Sequence, residues 1–340
     1  MKIFLSAIVL MATCLLSAQE TMNDTSEKWT SGRPDGHAPI SVMGDHMHGQ
    51  GEFMFSYRYM YMNMEDLKRG RDDASFEDAL VDYMVTPTQM PMNMHMLGAM
   101  YAPSDRITLM AMVNVTSMEM DHVTRMGGMF TTNSSSFGDT KLSGMYRIYD
   151  TNRQMVHAQL GLSIPTGSIT EADVTPASAP NAVELPYPMQ IGSGTFDPSL
   201  DVTYLFQGPV FSYGGQLSGV FRLGENDRQY TLGNRFSINN WFGFKLSDWF
   251  SLGATLGHTW IGEINGADPN LNPMMVITAD TANSGGNTLS SGVGFNIYVP
   301  DGRLKDVRFG FEFGYPLYQD LNGIQLKTKE TVTLGLQYAL

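Results

Sequence analysis

The chain predicts an all-β fold, a transmembrane antiparallel up-and-down β-barrel of about 12 strands preceded by a cleaved signal peptide, and three observations carry that expectation. Greasy and non-greasy side chains alternate with a period of two: Phe53, Phe55, Tyr57, Tyr59 and Tyr61 interleave with Met54, Ser56, Arg58, Met60, Met62 and Met64. Successive strand side chains point to opposite faces, so such a segment suits a wall between lipid and a wetter interior. Connections alternate long and short, with short ones at Pro103, Asp150, Gly208, Asp248 and Asp301, as in barrels with short periplasmic turns and longer outer loops. Finally, Arg147, Arg235, Arg308 and Glu312 share the non-greasy face, which a sandwich with a dry centre would not tolerate. Lipid offers backbone groups no partner, so the strands are expected to close on themselves.

Residues 1–18 read as a signal peptide: Lys2, an apolar run from Ile3 to Leu16, then Ser17 and Ala18. That run is shorter than the roughly 20 residues of a spanning helix, and no later segment offers another candidate. The single cysteine, Cys14, lies inside it, so the mature chain is expected to lack disulfides and thiolate metal sites. Residues 19–50 form a polar segment that either hangs in the periplasm or plugs the lumen, and residues 51–340 form the barrel. A net charge of -13 argues against nucleic acid as a partner. The expected location is the outer membrane of a Gram-negative bacterium. The expected partners are its lipid, the barrel-assembly machinery, and either a small solute or a copper ion.

Taken in order, the first strand runs from about Glu52 to Met64, and a long polar segment, Glu65 to Met92, follows it. The second (Asn93 to Tyr101) sets Leu97, Ala99 and Tyr101 against Met94, Met96 and Met100. In the third, Ile107, Leu109, Ala111, Val113 and Val115 oppose Thr108, Met110, Met112, Asn114 and Thr116. Thr140 to Tyr149 and Gln154 to Ile164 flank the turn at Asp150, with Met155 and His157 inward. Phe196 to Phe206 and Phe211 to Arg222 flank Gly208. The eighth strand keeps one parity from Tyr230 to Leu246, long enough to project beyond the membrane. The ninth carries Phe250 to Trp260, the tenth Leu289 to Ile297, the eleventh Val307 to Tyr315, and the twelfth Val332 to Leu340.

Eighteen of the 26 methionines fall between Met43 and Met129. On the parity above, Met54, Arg58, Met60, Met94, Met96, Met100, Met110, Met112, Arg147, Met155, His157, Arg235, Arg308 and Glu312 are expected to line the lumen. Thioethers favour Cu(I), and imidazole adds capacity for borderline metals, so Met43, His46, Met47, His48, Met94, His95, Met96, Met120 and His122 are candidate copper ligands. A flexible thioether also accommodates varied apolar solutes, and lumen lining is the plainer explanation. The inward charges, among them Lys141, Asp201 and Arg222, are expected to form an ion-pair network. His258, close to Trp260, reads as part of an interfacial girdle. No Gly-x-Ser-x-Gly elbow, His-Glu-x-x-His or phosphate loop is present, and no enzyme is expected. No cofactor is firmly implied beyond possible copper.

Several segments resemble the family of outer-membrane transporters named for the meta-pathway of phenol degradation. They are Phe137-Gly138-Asp139-Thr140-Lys141-Leu142, Gly161-Leu162-Ser163-Ile164-Pro165-Thr166-Gly167, Gln190-Ile191-Gly192-Ser193-Gly194-Thr195-Phe196-Asp197-Pro198 and Pro316-Leu317-Tyr318-Gln319-Asp320-Leu321-Asn322-Gly323. The resemblance implies an outer-membrane channel for small hydrophobic or aromatic solutes, here through a methionine-lined lumen. The alternative is a copper-handling protein of the same membrane, which the methionine-rich stretches of comparable barrels suggest. Such barrels usually end in an aromatic residue, whereas this chain ends in Leu340 with Tyr338 on the same face.

Overall fold

Eleven antiparallel strands close into a ring in the computed structural model, which describes residues 29–340. The expected signal peptide lies outside those residues. In chain order the elements begin with β1 (Phe53–Gly70), β2 (Asp72–Ala74), the helix α1 (Phe76–Asp82), β3 (Val85–Ser104), β4 (Ile107–Thr124) and β5 (Met129–Phe137). They continue with β6 (Thr140–Thr151), β7 (Gln154–Ile164), β8 (Ala172–Val174), β9 (Ala182–Glu184), β10 (Asp197–Gln207) and β11 (Phe211–Val220). The last are β12 (Tyr230–Thr231), β13 (Arg235–Lys245), β14 (Phe250–Ile261), β15 (Asn265–Gly266), β16 (Gly286–Tyr298) and β17 (Val307–Ala339). The ring runs β1-β3-β4-β6-β7-β10-β11-β13-β14-β16-β17 and returns to β1, while β2 and β5 add to it from outside.

The last strand counts twice in the wall. Its first part pairs with β16 from Arg308↔Tyr298 to Leu321↔Gly286, and its second with β1 from Leu321↔Gly70 to Ala339↔Met54. The two parts also meet each other, since Ala339 N donates to Asp306 O at 3.4 Å and Arg308 Nη1 to Gln337 Oε1 at 2.6 Å. Gly323, with φ +60°, takes the left-handed conformation this reversal needs. The chain therefore crosses the wall twelve times, as the alternation predicts. Phe53 N to Leu340 O at 3.1 Å and Leu340 N to Phe53 O at 2.7 Å fasten the two ends, so the closure does not depend on a terminal aromatic.

Outward and inward faces fall on the expected parities. Leu97, Leu160 and Val293 are 58%, 68% and 61% exposed, whereas Met96, Gln159 and Arg308 are buried. Apolar side chains exposed all round a ring whose interior holds arginine and histidine invert the soluble pattern, and only lipid on the outside makes that favourable.

The outer half departs from expectation. Glu65 to Met92 is not a loop: β1 continues to Gly70, α1 follows behind a Ser75 capping box, and β3 starts at Val85. Strand β4 likewise runs past Thr116 to Thr124 and pairs with the unforeseen β5. Beyond the lipid belt no face has to be greasy, so the alternation fades while the ladder continues. A bulge at Asp66, φ +61°, reverses parity within β1 and turns Leu67 into a small outer core with Ala79, Ile277 and Ile324.

The expected seventeen-residue eighth strand is broken. Tyr230 and Thr231 pair with Gly266 and Asn265 outside the ring, and the wall strand begins only at Arg235. Gly233 sits hard against Gly262, whose carbonyl oxygen would lie 1.9 Å from any Cβ there. This close backbone approach bends the chain away. The segment Pro316 to Gly323 is mostly strand, with only its last residues forming the turn.

The described part of the polar segment, residues 29–50, occupies the lumen. It enters beside the short turn at Gly208, where Arg33 Nη1 donates to Gly208 O at 2.9 Å and Thr30 N to Gln207 Oε1 at 3.0 Å. At mid-height Ser41 N donates to Glu312 Oε2 at 3.0 Å, Gln216 Nε2 to Met43 O at 3.0 Å, and His157 Nε2 to Gly44 O at 2.9 Å. It leaves beside another short turn, where Gln50 N donates to Asp105 Oδ1 at 2.8 Å. Both limbs thus hang from the short-turn, periplasmic mouth. Two wall glycines make room for this plug: a Cβ on Gly335 or Gly310 would come within 2.4 or 2.9 Å of Ile40.

Candidate functional site

Two sets of side chains meet inside the ring, the methionine strip of β1, β3 and β4 and the histidines of the plug. Register builds the strip, because Met54↔Met100, Met60↔Met94, Met62↔Met92 and Met64↔Met90 are direct cross-strand partners, as are Met100↔Met110 and Met92↔Met118. Opposed Cβ atoms in a ladder lie about 5 Å apart, so these thioethers pack on one another. At the periplasmic end Met54, Met100 and Met145 enclose Met47 of the plug, with Met110 against them. At the outer end Met90, Met118 and Met120 pack with Leu185 and Met189 from the loop after β7. Between the two, Met60, Met62 and Met94 are half-buried, while Met96 and Met112 are buried.

The plug brings His46 and His48 together, with ring centroids 4.9 Å apart, and adds His37 at 4.4 Å from His46. His46 Nδ1 donates to Asp45 Oδ1 at 2.9 Å, and Asp45 Oδ2 accepts from Ala38 N at 2.9 Å. His48 Nδ1 donates to Glu52 Oε2 at 3.2 Å. A carboxylate only accepts, so in each pair Nδ1 donates and Nε2 is turned away from the carboxylate. Neither Nε2 has a hydrogen-bond partner among the described residues, nor does His37 Nδ1. Burial, with the Arg308 guanidinium nearby, holds His37 well below the usual imidazole range. Burial likewise brings His48 down to about 4. Burial pushes the Asp45 carboxyl up, but His46, His37 and Arg308 together hold it well below the usual carboxylate range.

The other copper candidates do not join this group. His95 faces outward, accepting or donating at 2.8 Å with Tyr57 Oη, while Met94 and Met96 on the same strand face inward. Met120 and His122 belong to the outer end, where His122 stacks on Phe130 at 4.6 Å and 6°. Met43 is half-buried and meets Gln216 through its carbonyl. Sequence reasoning missed His37, Asp45 and Glu52. An acid beside His46 and another four residues after His48 were visible signals, whereas His37 reaches the group only because the plug folds back.

The inward charges act on the plug more than on one another. Arg308 binds Ala38 O, Asn296 and Gln337, and Glu312 accepts from Ser41 N and from Thr255 Oγ1 at 2.7 Å. Arg147 pairs with Asp150 at 3.1 Å and reaches His48 O at 3.4 Å. His157 is fully buried under Gly44, and Met155 packs with Ala38, Val42, Leu205 and Trp241. Arg58 is 7% exposed, and its Nε has no hydrogen-bond partner among the described residues. Higher in the lumen Arg222 pairs with Asp197, while Lys141 on β6 and Arg235 on β13 are accessible and make no ion pair among the described residues.

The outer mouth is covered by the loops after β7 and β14, which leave a cavity of about 360 Å³ lined by Val85, His122, Phe130, Pro176, Leu185 and Val276. Asp139 ties the segments singled out in the sequence together. Its carboxylate accepts from Gly167 N at 3.0 Å, Ser193 N at 3.0 Å and Ser193 Oγ at 2.7 Å, and Gly167 lies against Gly192. Those short motifs therefore hold the loop after β7 over the mouth.

No family model matches the sequence, and no curated protein matches it. Among solved structures the chain is similar to the COG4313 outer membrane channel from Pseudomonas putida F1, at 16% identity and TM-score 0.62, over 88% of this chain and 100% of that one. It is similar to the transport unit of the autotransporter AIDA-I from Escherichia coli at 10% identity and TM-score 0.50, over 87% and 93%. A FadL homologue from Pseudomonas aeruginosa shares 8% identity at TM-score 0.45, over 92% and 99%. At such identities the likeness is one of fold. With an apolar outer face on that fold, the chain is an outer-membrane β-barrel of a Gram-negative bacterium.

Proposed function

We propose that the barrel is a channel for small hydrophobic or aromatic solutes, passing along the methionine strip. The observation that carries this reading is the continuity of the strip, which runs from the cluster around Met47 to the cluster around Met120, next to the 360 Å³ outer cavity. Thioethers adapt to varied shapes without demanding hydrogen bonds, so they suit a path for a family of apolar bodies. Lys141 and Arg235, accessible in the same lumen, favour solutes that also carry an acidic group. The resemblance of the Pro165-Thr166-Gly167 and Gly192-Ser193-Gly194 segments to the phenol meta-pathway transporters supports the same solute class.

Proteoliposomes should take up labelled benzenesulfonate, an aromatic anion that cannot cross lipid unaided, faster than arabinose. Replacing Met60 and Met94 together by glutamate should slow that uptake about tenfold, a barrier change near 1.4 kcal/mol. Uptake no faster than that of protein-free vesicles, or a sugar that passes more readily, would contradict the reading.

A second reading, copper handling, is favoured by the buried histidines of the plug beside Met47, Met54 and Met100.

A further inference from the structure

We propose that the plug holds one soft monovalent metal ion, of the Cu+ class, between the imidazoles of His37 and His46. This rests on the copper-handling reading and gives it a site. His37, Asp45 and His46 each offer a ligand atom, and the three atoms lie within 4.8 Å of one another. His46 is 2% exposed, with Nδ1 held by Asp45 and an unpartnered Nε2. Histidines that bind metal are usually held in this way, by a carboxylate on the far nitrogen. His48 repeats the arrangement with Glu52. A buried polar atom without a partner is costly, and three imidazoles of the plug bear one among the described residues. Such a concentration has a physical reason if a cation uses the lone pairs.

The surroundings choose the kind of ion. Beside Asp45 and His46 lies a cavity of about 10 Å³, lined also by Met54, Met100, Met110 and Met112. It is the size of a single small sphere, and its thioethers are soft donors that hold Cu+ in preference to harder ions. Arg58 lines the same cavity, and Arg308 reaches the carbonyl of Ala38, next to His37. Two guanidinium groups repel any added cation, and a divalent ion doubles that repulsion. Asp45 is the carboxylate within the cluster, Glu52 stands at its rim, and Glu312 is engaged by Ser41 and Thr255. His37 lies on the limb that enters the lumen and His46 on the limb that leaves it, so the ion would also tie the two limbs together.

The test is an anaerobic competition of the folded, full-length mature barrel against a chromogenic Cu(I) chelator. Wild type is expected to withdraw one equivalent. The near-isosteric double variant His37→Asn/His46→Asn should hold copper at least about tenfold more weakly, a loss of ~1.4 kcal/mol or more. The triple variant Met94→Leu/Met96→Leu/Met120→Leu should keep the wild-type affinity, and an equal concentration of Zn2+ should not displace the copper. Heat-modifiable gel mobility confirms that each barrel is folded. Uptake unchanged in the histidine variant overturns the site and leaves copper handling standing, whereas no uptake by any form overturns both. Displacement by Zn2+ overturns the assignment to a soft monovalent ion.

Discussion

Deleting residues 29–48 is expected to turn a narrow, plugged barrel into a widely conducting one. The wall does not need the segment, because β1 starts at Phe53, and its ladder to β17 and its terminal bonds to Leu340 lie outside the deletion. The lumen does need it to stay filled. Ile40 covers Gly310 and Gly335, Ala38 and Val42 share a cluster with Trp241 against which Trp29 packs, and Met47 packs at the periplasmic end of the thioether strip. Single-channel conductance in planar bilayers should therefore rise on the order of tenfold or more, toward that of a barrel with a water-filled interior. A deletion variant that folds and conducts no better than wild type would show that something else limits the pore.

Trp241→Ala should loosen the plug without opening the ring. Trp241 is 2% exposed and forms one cluster with Ala38, Val42, Met155 and Leu205. The wall is shaped to receive it, since a Cβ on Gly214 would lie 2.1 Å from its indole. Truncating a buried tryptophan costs about 3–5 kcal/mol. Here the loss falls on the contact between wall and plug, because backbone pairing of β13 with β11 and β14 does not depend on the side chain. Amide exchange of the plug peptide around Ala38 and Val42 should accelerate by roughly 10²–10⁴, as expected when local opening becomes easier by that energy. Exchange in β13 should stay slow. Equal acceleration in both would mean that plug and wall open as one unit.

The wall was legible because lipid imposes one rule on one face. Leu109, Ala111 and Val113 had to be apolar and their neighbours did not, which exposed both the strand and its orientation. Where lipid ends, so does the rule, and α1, β5 and the outer part of β3 were hidden. The break before Arg235 was hidden for a different reason. It depends on Gly233 meeting Gly262, a contact between segments that alternation cannot encode. The plug site was half legible. His46, Met47 and His48 stand together in sequence, but His37 and the wall groups Arg58, Arg308 and Met100 converge on them only through the ring and the fold-back. Parity also separated His95 from Met94 and Met96, although adjacency had grouped them.

Parity is the premise of both the channel and the metal site, and spin labels along β4 test it most directly. Single cysteines at Thr108, Leu109, Met110, Ala111, Met112 and Val113 would each carry a nitroxide in the folded barrel in lipid. Collisions with dissolved oxygen, which concentrates among acyl chains, should be frequent at Leu109, Ala111 and Val113 and rare at Thr108, Met110 and Met112. A flat profile, or one with the methionine positions facing the lipid, would contradict the account.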